Sequence, residues 1–331
     1  MELVSYIILI LLASITILLE SNFVYRWLFI PSVISFICII RFSGFDTDIL
    51  TYVNQMNASS LDLYYLREFI FWFGSRLAYY ITQDEVFAML LMDLVWIIVI
   101  VRVGNRLSDY KKEKLNNGLL LVLMTSFPFV FGYENVYRQF YATVFALLSY
   151  SLLDKKQYKS IFLFIVAFFM HNIVALLIPI FIVKKFYNFD LTSRVQIAII
   201  ISLLFVSSLE ILESLKSVEI SGIQMGLFYL IIFIVLLVIG LIVFNKNIYV
   251  LFEKVPSLFF VVIIMTGLIF LDADMIAERI GMLLISFVTY DLYKFTSEIE
   301  NKGIRSVVRL FLMLVFTIPT LLFESSLEFL M

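Results

Sequence analysis

The chain has 331 residues, of which 63% are apolar and 15% charged, with 24 Lys and Arg, 26 Asp and Glu, and a formal charge of -2. Soluble proteins carry about 25% charged residues. The mean hydropathy of +1.04 and the long uninterrupted apolar runs therefore exclude a soluble enzyme, and they exclude a barrel, whose strands alternate in segments of about ten residues.

A helix needs about 20 mostly apolar residues to cross a bilayer, and only a helix satisfies its own backbone in lipid. In chain order the predicted spans are 3–20, 23–40, 86–103, 118–133, 138–153, 195–213, 223–244, 256–271, 276–295 and 304–323. Met1-Glu2-Leu3 lacks the basic start and small-residue cleavage site of a secretory signal, so the first run is expected to be retained. Cys38, the single cysteine, excludes an internal disulfide and a cysteine metal site. Residues 1–331 are thus expected to form one integral membrane domain of all-α class.

The loop 41–85 follows the second span. It opens with Arg41-Phe-Ser-Gly44-Phe-Asp46-Thr-Asp48-Ile-Leu-Thr-Tyr52, where Gly44 permits a tight turn that projects an arginine and carboxylates toward one ligand. Asp46 and Asp48 have the spelling of a nucleotide-sugar-transferase metal motif, yet two aspartates alone make a weak site; a solvated interfacial turn is the other reading. Further on, Leu61, Tyr64, Tyr65, Phe69, Phe71, Trp72, Phe73, Leu77 and Tyr80 recur at near-helical spacing around Arg67, Glu68 and Arg76, which predicts one or two amphipathic helices at the interface. Asn57-Ala-Ser59 matches a glycosylation sequon, a pattern short enough to arise by chance.

Glu134-Asn135-Val-Tyr137-Arg138-Gln139 is a very short connection between spans four and five. A cation at a helix start opposes the helix dipole unless an anion is shared between them, so Arg138 points to anion binding; pairing with Glu134 as a snorkelling residue is the alternative. Residues 160–183 form an apolar stretch with His171 and Asn172 at its middle and basic residues at both ends: Lys155, Lys156 and Lys159 before it, Lys184, Lys185 and Arg194 after it. A single crossing would place the basic residues downstream on the outside, against the positive-inside rule, so a re-entrant helical hairpin is expected with His171 at its tip. His171 suits proton transfer or neutral hydrogen-bond donation; a satisfied structural histidine is the other reading. Asp272 and Asp274 read as helix caps, while Glu278 and Arg279, inside the helical pattern, are expected to face a cavity or another charge.

Threading the spans alternately puts Arg41, Arg67, Arg76, Arg138, Lys216 and Arg279 outside, with the remaining Lys and Arg inside. The outer group, with the single histidine, looks placed for an anionic substrate. Walker, dinucleotide and hydrolase-elbow motifs are missing.

Taken in order, Arg41-x-x-Gly44-x-Asp46 with Tyr52, Glu68-Phe-Ile-Phe71, Asn135-x-x-Arg138-Gln139-x-x-Ala142, Phe168-x-x-His171-Asn172 and Glu278-Arg279-Ile280 resemble the EpsG and Wzy-type polysaccharide polymerases of bacteria. Arg67 before Glu68 and Asn172 after His171 depart from that pattern. The resemblance implies a GT-C-like membrane glycosyltransferase of the bacterial inner membrane, with its site facing the periplasm. It would transfer a glycan from undecaprenyl pyrophosphate to a lipid-linked repeat unit, in O-antigen, capsule or exopolysaccharide synthesis, with a chain-length regulator protein as a further partner. It implies no cofactor, metal or nucleic acid. In that picture Arg138 and Arg279 grip the pyrophosphate with Arg41 in support, and His171, Asp46 or Glu68 activates the acceptor hydroxyl. Asp48, Tyr52, Glu134, Asn135, Tyr137, Gln139, Asn172 and Glu278 support the site. A glycan ligase, a membrane acyltransferase and a flippase of the same lipid-linked sugar are the rival readings.

Overall fold

The computed structural model describes residues 2–57, 68–108, 118–153, 156–185, 190, 192, 193, 196, 200, 225–243, 247–270, 274–322, 327 and 330. Every regular element among them is helical. The chain divides into two compact units, the first formed by Met1–Leu152, Lys156–Val174 and Thr296–Met331, the second by Leu153–Lys155 and Ala175–Phe295.

In the first unit, α1 (Glu2–Leu19) buries Tyr6, Leu9, Ala13, Thr16 and Ile17 at three-to-four spacing and leaves Val4, Ile8, Leu11, Ile15 and Leu18 exposed. An apolar face of that extent belongs against lipid, not water. A π turn over Val24–Phe29 leads into α2 (Ile30–Ser43). Pro31 lacks an N–H and its ring crowds the carbonyl four residues back, which accounts for the widened turn. Helix α2 stops at Gly44, whose φ of 134° and ψ of -178° suit only glycine, so the turn expected there is present.

Two short helices follow, α3 (Thr47–Met56) and α4 (Phe69–Thr82). Helix α4 buries Phe71, Trp72, Ser75 and Ala78 on one side and exposes Phe69, Phe73, Leu77, Tyr80 and Ile81 on the other. Arg67, together with Ala58 and Ser59 of the sequon, lies outside the described residues. Next comes α5 (Glu85–Ser108). The run expected as one span over 118–133 is instead two helices, α6 (Gly118–Thr125) and α7 (Phe127–Glu134), broken where Ser126 is extended. Pro128 in the first turn of α7 suits a new helix start. Then come α8 (Tyr137–Leu152) and α9 (Gln157–Met170), packed as an antiparallel pair in which the Ser149 hydroxyl donates to the Ser160 carbonyl at 2.6 Å and the Ser160 hydroxyl donates back to the Ser149 carbonyl at 2.9 Å.

The second unit holds α10 (Ile178–Lys185), α11 (Met225–Val243), α12 (Ile248–Lys254), α13 (Pro256–Phe270) and most of α14 (Asp274–Thr296). A Cβ at Gly281 of α14 would meet Tyr229 at 2.8 Å and Met265 at 2.9 Å, so glycine is what allows α11, α13 and α14 to converge there. Buried Asp291 of α14 accepts the Ser257 N–H at 3.1 Å and so caps α13 from a neighbouring helix. The last helix, α15 (Lys302–Leu322), belongs to the first unit and packs on α1, α6 and α7.

Ten spans were expected. Among the described residues five helices are long and apolar enough to cross a membrane, Glu2–Leu19, Val24–Ser43, Glu85–Arg106, Gly226–Val243 and Lys302–Leu322; a sixth is formed if α12 and α13, bent by 98°, count as one. Helices α8 and α13 fall short at 16 and 15 residues. Helix α14 has the length but carries Asp274, Glu278, Arg279, Asp291 and Lys294. The predicted span 195–213 lies outside the described residues but for Gln196 and Ile200.

Candidate functional site

The pairing of α8 with α9 brings the first turn of one to the end of the other. Counted from the Ser149–Ser160 contact, eleven residues back along α8 lead to Arg138 and eleven forward along α9 lead to His171, an equal rise of about 16 Å at 1.5 Å per residue. Glu68 enters from the start of α4 and meets both. Its Oε2 accepts from Arg138 Nη1, and its Oε1 lies 3.5 Å from His171 Nε2. Three residues separated by 70 and 33 positions in sequence thus form one cation, carboxylate and imidazole cluster. All three side chains keep between a tenth and a fifth of their surface exposed, so the cluster is shielded yet reachable.

Two rings hold the arginine. The Arg138 guanidinium carbon lies 5.2 Å from the Tyr52 ring centroid and 5.2 Å from that of Trp72. Cation–π contacts of this kind are worth about 0.5–2 kcal/mol each, more when desolvated. Phe71 packs edge-on against Tyr52, Trp72, Tyr137 and Tyr141, tying these rings into one aromatic wall.

Beneath this cluster lies a second network that the sequence reading missed. Asp93 of α5 is buried and accepts from Arg41 Nε at 2.8 Å, Arg41 Nη2 at 3.1 Å, Trp96 Nε1 at 2.9 Å and the Tyr137 hydroxyl at 2.9 Å. Arg41 Nη2 also donates to the Tyr133 carbonyl at 3.0 Å, and its guanidinium stands 5.2 Å from the Tyr137 ring. Arg41 and Asp93 are each 1% exposed. Arg41, expected beside the substrate, is therefore a strut joining α2, α5, α7 and α8, with its fork committed to protein acceptors. Tyr137, expected as a supporting residue, is the point where this frame reaches the residue next to Arg138. One signal for Asp93 was available: an ionisable residue in the middle of an apolar span has a partner or a function.

The other expected residues are dispersed. Asp46 and exposed Asp48 flank the start of α3. Glu134 and Gln139 are buried on either side of the α7–α8 break, and neither Glu134 Oε1 nor Gln139 Oε1 has a hydrogen-bond partner among the described residues. Asn135 ends α7, its carbonyl accepting the Tyr137 N–H at 3.0 Å. Asn172 opens the 3-10 turn Asn172–Leu177 that follows His171. Glu278, half-buried, and exposed Arg279 sit on α14 in the second unit. No group of three or more His, Cys, Asp or Glu suited to a metal ion occurs among the described residues.

His171 breaks the helix at which a hairpin tip was expected. Helix α9 ends at Met170 and His171 is extended, with φ -161° and ψ 131°. The Ile173 N–H donates to His171 Nδ1 at 3.1 Å, and the Val174 N–H to the His171 carbonyl at 3.2 Å.

The family model for EpsG matches residues 24–327. The chain belongs to the EpsG family. Membership points to polysaccharide polymerisation by a multi-pass membrane protein, and the matched region takes in the whole Arg138–Glu68–His171 cluster and the Asp93 network. Searches of curated proteins and of solved structures gave no match.

Proposed function

We propose that this EpsG-family chain is a GT-C-like membrane glycosyltransferase of the bacterial inner membrane. It extends a polysaccharide on the periplasmic side by moving a glycan from undecaprenyl pyrophosphate to a lipid-linked repeat unit. The observation that carries this reading is the Arg138–Glu68–His171 cluster: a guanidinium, a carboxylate and an imidazole converge at one shielded but reachable point of the helical bundle.

Glycosyl transfer from a diphosphate needs two things of a protein. The leaving diphosphate gains charge as its bond to the sugar breaks, and donors already in place stabilise that charge best. Arg138, held 5.2 Å from the ring centroids of both Tyr52 and Trp72, offers a planar fork to phosphate oxygens. The incoming hydroxyl must lose a proton, and the Glu68–His171 pair is next to Arg138 to take part in that. Helix α8 also starts here, and the N–H groups of a helix's first turn have no intrahelical acceptor, which adds to the attraction for an anion. Arg41 acts from behind in this proposal, through Asp93 and Tyr137. The break at His171 becomes the tip of a re-entrant segment over 160–183.

A cell-free assay tests the proposal. Purified protein in lipid nanodiscs, given only the undecaprenyl-pyrophosphate-linked repeat unit, is expected to form a ladder of longer lipid-linked glycans, read on a gel and by mass spectrometry. No elongation, with translocation of the unaltered substrate in proteoliposomes, would replace polymerase by flippase. Transfer of the glycan only to a lipid core or protein would make it a ligase.

A further inference from the structure

The two nitrogens of His171 are not equivalent, and the difference assigns the proton chemistry. Nδ1 accepts the Ile173 N–H at 3.1 Å. An acceptor nitrogen carries a lone pair and no proton, so the neutral ring has its proton on Nε2. An imidazolium would set its Nδ1–H against the Ile173 N–H. The backbone holds the ring in this state, because His171 is extended where α9 ends and its own carbonyl closes the next turn with Val174. The protonated Nε2 then faces Glu68 Oε1 at 3.5 Å. One nitrogen is occupied by the main chain and the other already bears hydrogen. Neither presents a lone pair to an acceptor hydroxyl.

We infer that Glu68 is the catalytic base for the acceptor hydroxyl and that His171 is a positioning residue, a neutral Nε2–H donor that steers the Glu68 carboxylate; this rests on the glycosyltransferase reading above. A carboxylate has about four lone-pair sites, so Glu68 can accept from Arg138 and face His171 while still receiving a hydroxyl. In the step, the acceptor oxygen forms a bond to the anomeric carbon and its proton passes to Glu68. The bond from that carbon to the diphosphate oxygen breaks, and undecaprenyl pyrophosphate leaves with the electron pair toward Arg138. The Arg138–Glu68 contact makes the sequence ordered. A diphosphate arriving at Arg138 draws the guanidinium from Glu68, and a carboxylate that loses its cation in a shielded site is a stronger proton acceptor. The base is therefore released by donor binding.

Three substitutions at one position separate the roles. His171→Gln keeps an N–H donor near the place of Nε2, His171→Asn keeps an acceptor near the place of Nδ1 and so preserves the turn, and His171→Ala keeps neither. Elongation is measured in nanodiscs with full-length protein. His171→Gln is expected within about tenfold of wild-type kcat, with Asn and Ala both lower and KM little changed. Glu68→Gln should lose about 100-fold or more in kcat, the usual size of general-base catalysis, while still binding the donor lipid. Rescue by Asn in place of Gln would make His171 merely structural, and equal inactivity of Gln and Ala would make it the base; either overturns the inference. So would Glu68→Gln within tenfold of wild type, or loss of donor binding in that variant. Should Glu68→Gln not fold, the histidine series decides alone. Wild type that does not elongate at all defeats the function reading, a different result from any of these.

Discussion

Replacing Asp93 with alanine tests the buried frame most severely. The carboxylate takes both prongs of the Arg41 fork and also the Trp96 and Tyr137 donors. With both charged side chains 1% exposed, solvent cannot stand in for it. Removing one member of a buried ion pair costs about 3–5 kcal/mol, because the other charge is stranded. Two neutral donors losing their acceptor add about 1 kcal/mol each, so Asp93→Ala should cost about 5–7 kcal/mol. Equilibrium unfolding of the purified protein in mixed micelles reads this directly. The double variant Arg41→Met with Asp93→Ala should recover most of the loss, since an apolar pair of similar volume is often neutral or better. Activity should not return with it, because Tyr137 would still lack the anchor that sets Arg138. A loss below about 1 kcal/mol in the single variant, or no recovery in the double, would refute the picture of a desolvated strut.

Other outcomes follow from the same geometry. Glu20→Gln breaks the pair in which Glu20 Oε1 accepts from Arg305 Nη2 at 2.8 Å, but the partners are 25% and 12% exposed, so the same unfolding assay should show about 1 kcal/mol or less. Arg138→Lys should elongate little better than Arg138→Ala, both down about 100-fold in kcat/KM or more, because an ammonium offers neither the fork nor the flat face held by Tyr52 and Trp72; near-wild-type activity for the lysine variant would reduce the contact to simple charge. Gly132→Ala should lower stability by about 1–3 kcal/mol from overpacking, since the new Cβ would lie 2.6 Å from the Phe140 ring; unchanged stability would mean that α7 and α8 separate at no cost. In a Cys38→Ser background, a cysteine at exposed Asp48 should react with a membrane-impermeant maleimide in intact cells and one at exposed Asn301 only after permeabilisation; the reverse pattern would invert the proposed orientation.

Much of the helix layout was legible because lipid imposes a simple rule on composition, and the ends of α1, α5, α11 and α15 fall close to their apolar runs. The break inside 118–133 was also written in the chain, since Pro128 cannot continue a helix without losing a bond, but the hydropathy of its neighbours hid it. Glu68, Arg138 and His171 stood out as polar residues in apolar surroundings. Their convergence was not readable, because it depends on the antiparallel packing of α8 on α9 and on α4 arriving alongside. Arg41 and Asp93 show the reverse case. The arginine is conspicuous in the sequence, but its pairing with a carboxylate 52 residues away is visible only in the fold.

The equal lengths of α8 and α9 measured from their serine contact restrict how this protein can evolve. Each residue inserted into one helix alone would raise its tip by about 1.5 Å and swing it through about 100°, carrying Arg138 or His171 off Glu68. Length changes on the two sides of that contact should therefore occur together or not at all. Descendants that lengthened this arm to suit a thicker bilayer would have had to insert in matched steps, close to whole turns, in both strokes of the hairpin.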